Sequence, residues 1–245
     1  MPATPAWPPK SLPRLFVREE LADGARVGLD AGQANYLGNV MRLREGSELL
    51  VFDGKSGEWL ARIIEAGKKH MVLEVERRTR EAEAVPDVWL AFAPVKRTQT
   101  DWLVEKATEL GAAKLLPVIT QRTIAERVKL ERLEAIAIEA AEQCGRTLVP
   151  EIVEPITLAR LLEQRKGRTL FFADEGGGEP ASEAFVPGPA MILTGPEGGF
   201  TDEERETIRQ APDAVPVSLG PRILRAETAA LAALSAYMAV AGDWR

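Results

Sequence analysis

The sequence predicts an α/β domain with a mainly parallel sheet, preceded by a small domain of short, mostly antiparallel strands. Two patterns and one break carry that expectation. Beyond residue 84, apolar runs such as VWLAFAPV, KLLPVI, TLFFAD and AMILTG alternate with helical periodicity, as strands buried on both faces do. Before residue 80, short β-rich pieces are separated by turn chemistry, too closely spaced for crossover helices. The polar stretch TREAEAVPD lies between the two regimes.

In order along the chain, residues 1–13 are rich in proline and read as an extended leader. Residues 14–79 hold the strands RLFVR, ELLVFD, EWLARII and MVLEVERR, with DGKSGE and EAGKK as turns. QANYLGNVMRL (33–43) suggests a short helix with Tyr36, Leu37, Val40 and Leu43 on one face. From residue 80 onward, a helix from about Thr100 to Leu110 succeeds VWLAFAPV, with Leu103, Val104, Ala107 and Leu110 on one stripe and Gly111 at its stop. A longer helix is expected over 126–144, with Leu130, Leu133, Ala137, Ala140 and Cys144 inward. Cys144 is read there as a packing residue. GGGE at 176–179 reads as a flexible loop tip.

Composition narrows the function classes. The 245 residues are 45% hydrophobic and 28% charged, as in a soluble globular protein. No apolar run is long enough to span a bilayer, and the N-terminus has no secretory apolar core. A single cysteine and a single histidine argue against a disulfide, a cysteine metal cluster, a zinc site or a Ser-His-Asp triad. No metal is expected, and the expected compartment is the cytosol. The net charge of −6 argues mildly against nucleic acid as a partner. Residues 1–80, however, carry a slight basic excess while the remainder is acidic.

Two stretches carry the chemistry. LTGPEGGF (193–200) ends a strand, and Thr201-x-x-Glu204 then matches a capping box that starts a helix. Ligands of open α/β sheets bind beyond the C-terminal strand ends. Yet a dinucleotide or triphosphate fingerprint is absent, and Glu197 would repel a phosphate. The same composition also suits a plain strand-to-helix turn. SLGPRILRAETAALAAL (218–234) repeats the arrangement, with Arg222, Arg225 and Glu227 at the mouth of an apolar helix. Arginine at the positive end of a helix dipole breaks a local rule. Lys96 and Arg97, and Gln121 and Arg122, fall at the ends of two further strands on the same sheet edge. Taken singly, each Lys or Arg here reads first as solvated charge rather than as a contact. Arg146, at the end of a helix, suits the dipole there.

Together with RLFV (14–17), NYLGNVMRLREGSELLVFDGKSGEWLARI (35–63), PVKRTQTDWLVEKATELGAAKLLPVITQRT and EAAEQCGRTLVP, these stretches resemble the RsmE family. Its members are ribosomal RNA uracil-N3 methyltransferases of the SPOUT superfamily. The resemblance implies a C-terminal SPOUT trefoil-knotted α/β methyltransferase domain (80–245) and an N-terminal PUA-like RNA-binding β-barrel domain (14–79). It implies a homodimer that uses S-adenosylmethionine to methylate N3 of one uridine in 16S ribosomal RNA of the small subunit. The cofactor would be held by Leu193, Thr194, Gly195, Glu197, Gly198 and Gly199 from the first loop. From the second it would be held by Ser218, Leu219, Gly220, Ile223, Leu224, Arg225, Glu227, Thr228 and Ala229. That ligand carries a cationic sulfonium and no phosphate, which makes Glu197 compatible with it. Arg225 would stabilise negative charge, and Glu197 would serve as base or shape the pocket. Arg14, Arg18, Arg42, Arg44, Lys96, Arg97, Gln121, Arg122 and Arg146 are the candidate RNA contacts. Two alternatives are a non-catalytic RNA-binding assembly factor and a related enzyme methylating a ribose 2′-OH. The pairing of both loops disfavours the first, and the PUA-type domain and the RILRAET wording disfavour the second.

Overall fold

A computed structural model describes residues 12–67, 70–124, 128–165 and 167–244. Most of the expected leader, 1–11, lies outside them, as do residues 126 and 127 of the helix expected over 126–144. The chain divides into two compact units. The first runs to Glu83 and takes in Gly145–Leu148; the second comprises Ala84–Cys144 and Val149 onward. No helix among the described residues is long and apolar enough to cross a membrane.

The first unit contains β1 (Arg14–Phe16), β2 (Arg26–Leu29), α1 (Ala31–Asn35), β3 (Glu48–Phe52), β4 (Glu58–Ala66) and β5 (Met71–Arg80). The strands form one sheet in the order β1-β3-β4-β5-β2. All pairings are antiparallel except β1 with β3, whose connection is long enough to allow a parallel return. Leu37, Leu49, Val51, Ile63 and Leu73 are its fully buried centre.

The helix expected over 33–43 forms only in part. α1 ends at Asn35 and a π-turn covers Tyr36–Val40, with the Met41 amide donating to the Tyr36 carbonyl at 3.0 Å. A five-residue turn rotates the succeeding side chains away from a 3.6-residue stripe. Leu37 is buried while Val40 is 63% exposed, and Tyr36 also faces outward. The predicted apolar face is therefore broken in two.

One buried carboxylate organises this unit. Glu58 accepts from Arg14 Nε at 2.7 Å and Arg80 Nη2 at 3.0 Å. Burial opposes its charge, but the hydrogen bonds and positive charges of Arg80 and Arg14 win and hold the carboxyl below its ordinary 4.5. Arg14 also donates to the Arg146 carbonyl at 2.7 Å. Glu83 Oε1 accepts from Arg146 Nε and from the amides of Thr147 and Leu148, which fixes the segment 145–148. Truncating Glu58 to alanine removes the carboxylate from two arginines, one of them half-buried, and should destabilise this unit by about 3 kcal/mol in chemical denaturation. Because the folded-state pKa is depressed, the contribution is fully present above about pH 4.5 and fades as the pH falls further.

The second unit contains β6 (Val88–Phe92), α2 (Arg97–Glu109), β7 (Lys114–Ile119), α3 (Leu130–Cys144), β8 (Glu151–Ile152), β9 (Ile156–Thr157), α4 (Leu158–Gln164), β10 (Thr169–Ala173), β11 (Glu179–Pro180), α5 (Ala181–Ala184), β12 (Ala190–Thr194), α6 (Asp202–Arg209), β13 (Ala214–Ser218) and α7 (Ala226–Val240). Its sheet runs β11-β13-β10-β12-β6-β7-β8, and every recorded pairing is parallel. Alternate side chains of each strand enter opposite layers. Leu90, Phe92 and Phe171 pack with α2, α3 and α7, through Leu103, Leu133 and Tyr237. Ala91, Leu170 and Phe172 pack with α4 and α6, through Leu161 and Ile208. Two-sided burial is why these strands read as unbroken apolar runs. Gly111, at φ +93°, ends α2 where the sequence placed its stop.

Candidate active site

Because the sheet is parallel, the C-terminal ends of β10, β12 and β13 share one edge. The loops that leave them, 174–178, 195–201 and 219–225, surround a cleft of about 770 Å³. That is within the range of small-molecule sites, roughly 300–1,000 Å³.

The loop after β12 is preset by its sequence. Pro196 is buried, and the Gly199 amide closes a turn onto the Pro196 carbonyl at 2.9 Å. Gly199 adopts φ +67°, a region glycine occupies without strain. The Thr201 side chain and Glu204 then form the expected capping box. Glu204 does more than cap: its Oε1 also accepts from the Gln121 amide at 2.8 Å. Arg122 Nη1 donates to the carbonyls of Gly198 at 2.8 Å and Phe200 at 3.3 Å. The end of β7 thus holds the glycine loop in place.

In the loop after β13, Gly220 turns at φ +104° and Arg225 leads extended backbone into α7. Arg225 is the N-cap and offers no side-chain cap. The third loop, which by sequence reads only as a flexible tip, is firmly anchored. Asp174, almost fully buried, accepts from the Gly176 amide at 2.8 Å and from Arg209 Nε at 2.9 Å, and pairs with Arg205. Glu175, also on Arg205, reaches Gly199: a Cβ built there would lie 2.6 Å from its Oε1. The available signal was ADEGGG directly after a buried strand, the same strand-to-glycine pattern as in the other two loops.

The cleft presents charges of both signs. Arg205 is committed to Asp174 and Glu175. Glu197, Arg222 and Arg225 line the cleft, and their side chains make no hydrogen bond or ion pair to described residues. Uncommitted carboxylate and guanidinium groups in one cleft suit a ligand that is itself zwitterionic. S-adenosylmethionine, with its sulfonium, ammonium and carboxylate, has that character.

Of the residues anticipated for the cofactor, Thr194, Gly195, Glu197 and Gly199 of the first loop line the cleft, as do Ser218, Leu219, Gly220, Ile223, Leu224, Arg225 and Ala229 of the second. Leu193, Gly198, Glu227 and Thr228 are not in its lining. Leu193 is in the core below it, and Glu227 is buried in the first turn of α7.

Some expected RNA contacts are otherwise engaged. Arg146 is buried and Arg14 half-buried, their guanidinium groups taken up by Glu83 and Glu58, so neither presents its charge freely to a polyanion. Arg122 is exposed but bonded to the glycine loop, and Gln121 lends its backbone to Glu204. Arg18, Arg42 and Arg44 are exposed on the first unit, Lys96 and Arg97 on the second. Replacing Arg122 by alanine should therefore weaken cofactor affinity about fivefold, roughly 1 kcal/mol for its lost hydrogen bonds. The salt dependence of RNA binding should stay as in the unaltered protein; a flatter slope would restore Arg122 as a phosphate contact.

Comparison with known proteins agrees with this reading. Residues 82–238 match the RNA methyltransferase domain family, and residues 29–76 match the RNA methyltransferase PUA domain. A ribosomal RNA small subunit methyltransferase E of Rickettsia conorii is 31% identical over 91% of this chain and 93% of its own. Its Synechocystis counterpart is 35% identical over 91% of this chain and 76% of its own. The crystal structure of the Neisseria gonorrhoeae protein of that name, bound to S-adenosyl methionine, superposes with a TM-score of 0.88 at 29% identity. It covers 96% of this chain and all of the other. A Legionella pneumophila protein solved with the same cofactor gives the same values.

Proposed function

Since the chain belongs to the ribosomal RNA small subunit methyltransferase E family, with its SPOUT trefoil-knotted domain and PUA-like domain, we propose that the 174–229 cleft carries out the family reaction. That reaction is transfer of a methyl group from S-adenosylmethionine to N3 of one uridine in small-subunit ribosomal RNA. The supporting observation is the pair of uncommitted opposite charges, Glu197 and Arg225, in a single cleft at the sheet edge.

S-adenosylmethionine supplies an electrophilic methyl group. The protein's own task is to bind, align and move a proton. Uracil N3 is on the Watson–Crick edge, so the uridine enters unpaired. N3 carries a weakly acidic hydrogen that must leave for its electron pair to form the new N–C bond. Glu197 is assigned as the acceptor of that proton. Arg225 is assigned to stabilise the negative charge on the uracil, or to meet the carboxylate of the cofactor. At Gly195 and Gly199 the space a Cβ would take is filled by the Phe200 ring and the Glu175 carboxylate, so these glycines set the shape of the loop that would meet the adenine. Alignment of N3 with the breaking S–C bond supplies much of the rate.

Arg18, Arg42, Arg44, Lys96 and Arg97 are the assigned RNA contacts. Their binding should weaken steeply with salt. Ile223, 92% exposed on a cleft loop, supports a homodimer in which a second copy covers it. Cytoplasmic action accords with a ribosomal substrate. Incubating the protein with S-adenosylmethionine and unmodified small subunits, then digesting the RNA for mass spectrometry, tests the reaction. N3-methyluridine is expected. A 2′-O-methylated nucleoside or no product would refute it, the latter in favour of a binding factor.

A further inference from the structure

A second, smaller cavity of about 200 Å³ lies where α2 and α3 begin, lined by Pro94, Val95, Arg97, Asp101, Val128 and Lys129 among others. It opens at the end of β6, the strand that pairs with β12 of the active-site cleft. Both cavities are therefore on the C-terminal edge of the same sheet, one strand apart. The volume is below the roughly 300–1,000 Å³ of sites for whole small ligands. It suits a single base or phosphate.

The lining divides by chemistry. Val95, Val128 and Leu133 make an apolar floor. Asp101 is taken up by Arg132, which donates from Nε to Oδ1 at 2.9 Å and makes a second contact to Oδ2. That pair is internally neutral. Arg97 and Lys129 are exposed, and their side chains have no hydrogen bond or ion pair to described residues. Among the described residues the rim is thus net positive beside an apolar lining, complementary to a nucleotide: flat ring inward, phosphate outward.

We propose that this cavity binds one unpaired nucleotide of the RNA next to the target uridine, its base on Val95, Val128 and Leu133 and its phosphate on Arg97 and Lys129. The inference rests on the RNA methyltransferase reading above. A neighbouring nucleotide held one strand away would fix the register of the RNA and hence which uridine reaches the cleft.

Three measurements on the full chain separate this inference from that reading: cofactor affinity by calorimetry, steady-state methylation of unmodified small subunits, and the salt slope of binding to the same RNA. The double replacement Arg97→Ala with Lys129→Ala should leave cofactor affinity unchanged. It should raise KM for the subunit about tenfold, and lower the salt slope by about one in all, for the single phosphate the two cations share. Val128→Trp fills the floor without touching charge. It should raise KM similarly with no change of slope. Unchanged KM in Val128→Trp overturns the base-binding cavity even if the cations matter, and unchanged KM in both overturns the whole inference. If the unaltered protein methylates no RNA, the parent reading fails and the inference falls with it.

Discussion

Gly178→Ala should weaken cofactor binding at least about tenfold, although this glycine is in neither of the two glycine-proline loops. A Cβ at that position would lie 2.3 Å from the Pro216 carbonyl oxygen and 2.7 Å from the Val217 amide nitrogen. Both are backbone atoms of β13 and cannot turn aside. The methyl group can be accommodated only by pushing the 174–178 loop off β13, which breaks the pairing of Glu179 with Val217. Overpacking of this kind costs about 1–3 kcal/mol. The displaced loop carries Asp174 and Glu175 and with them the anchor of Arg205. Affinity for S-adenosylmethionine should fall at least about tenfold, equivalent to about 1.4 kcal/mol, with a lowered unfolding midpoint. Gly28→Ala, where the added methyl meets open space, should change neither. Undiminished cofactor affinity in Gly178→Ala would remove the third loop from the site.

Arg225→Ala should reduce methylation on the order of 10² to 10³ fold, the size of losing one preorganised charge partner in a transition state. Stability should not fall. Arg225 makes no side-chain bond to described residues and places a positive charge at the positive end of α7. A role in charge stabilisation predicts that kcat carries the loss while cofactor affinity holds. A role in binding the cofactor carboxylate predicts instead that affinity falls. Arg225→Lys should recover part of either through its charge. Full turnover by Arg225→Ala would end both assignments.

Features that are local along the chain are the ones its sequence discloses. Buried parallel strands announce themselves as apolar runs, so β6, β7, β10, β12 and β13 are all legible. The capping box of α6 is legible because its reciprocal bonds join residues three apart. The site loops after β12 and β13 are legible because glycine and proline come directly after a strand. Features that depend on partners far along the chain stay hidden. Arg14 pairs with Glu58, and Glu83 with Arg146; nothing near either arginine in sequence shows that its charge is already taken. Arg122 finds its acceptors at Gly198 and Phe200. The π-turn at Tyr36–Val40 escapes because a periodicity of 3.6 cannot represent a turn of five. The ADEGGG loop escapes because only the strand order, with β10 between β13 and β12, brings it to the cleft.

The idea that three loops on one sheet edge form a methyl-donor cleft stands or falls on calorimetric titration of the protein with S-adenosylmethionine, with NAD as control. Saturable binding of S-adenosylmethionine and no binding of NAD is the expected result. Binding of NAD, or of neither ligand even with small-subunit RNA present, would contradict it.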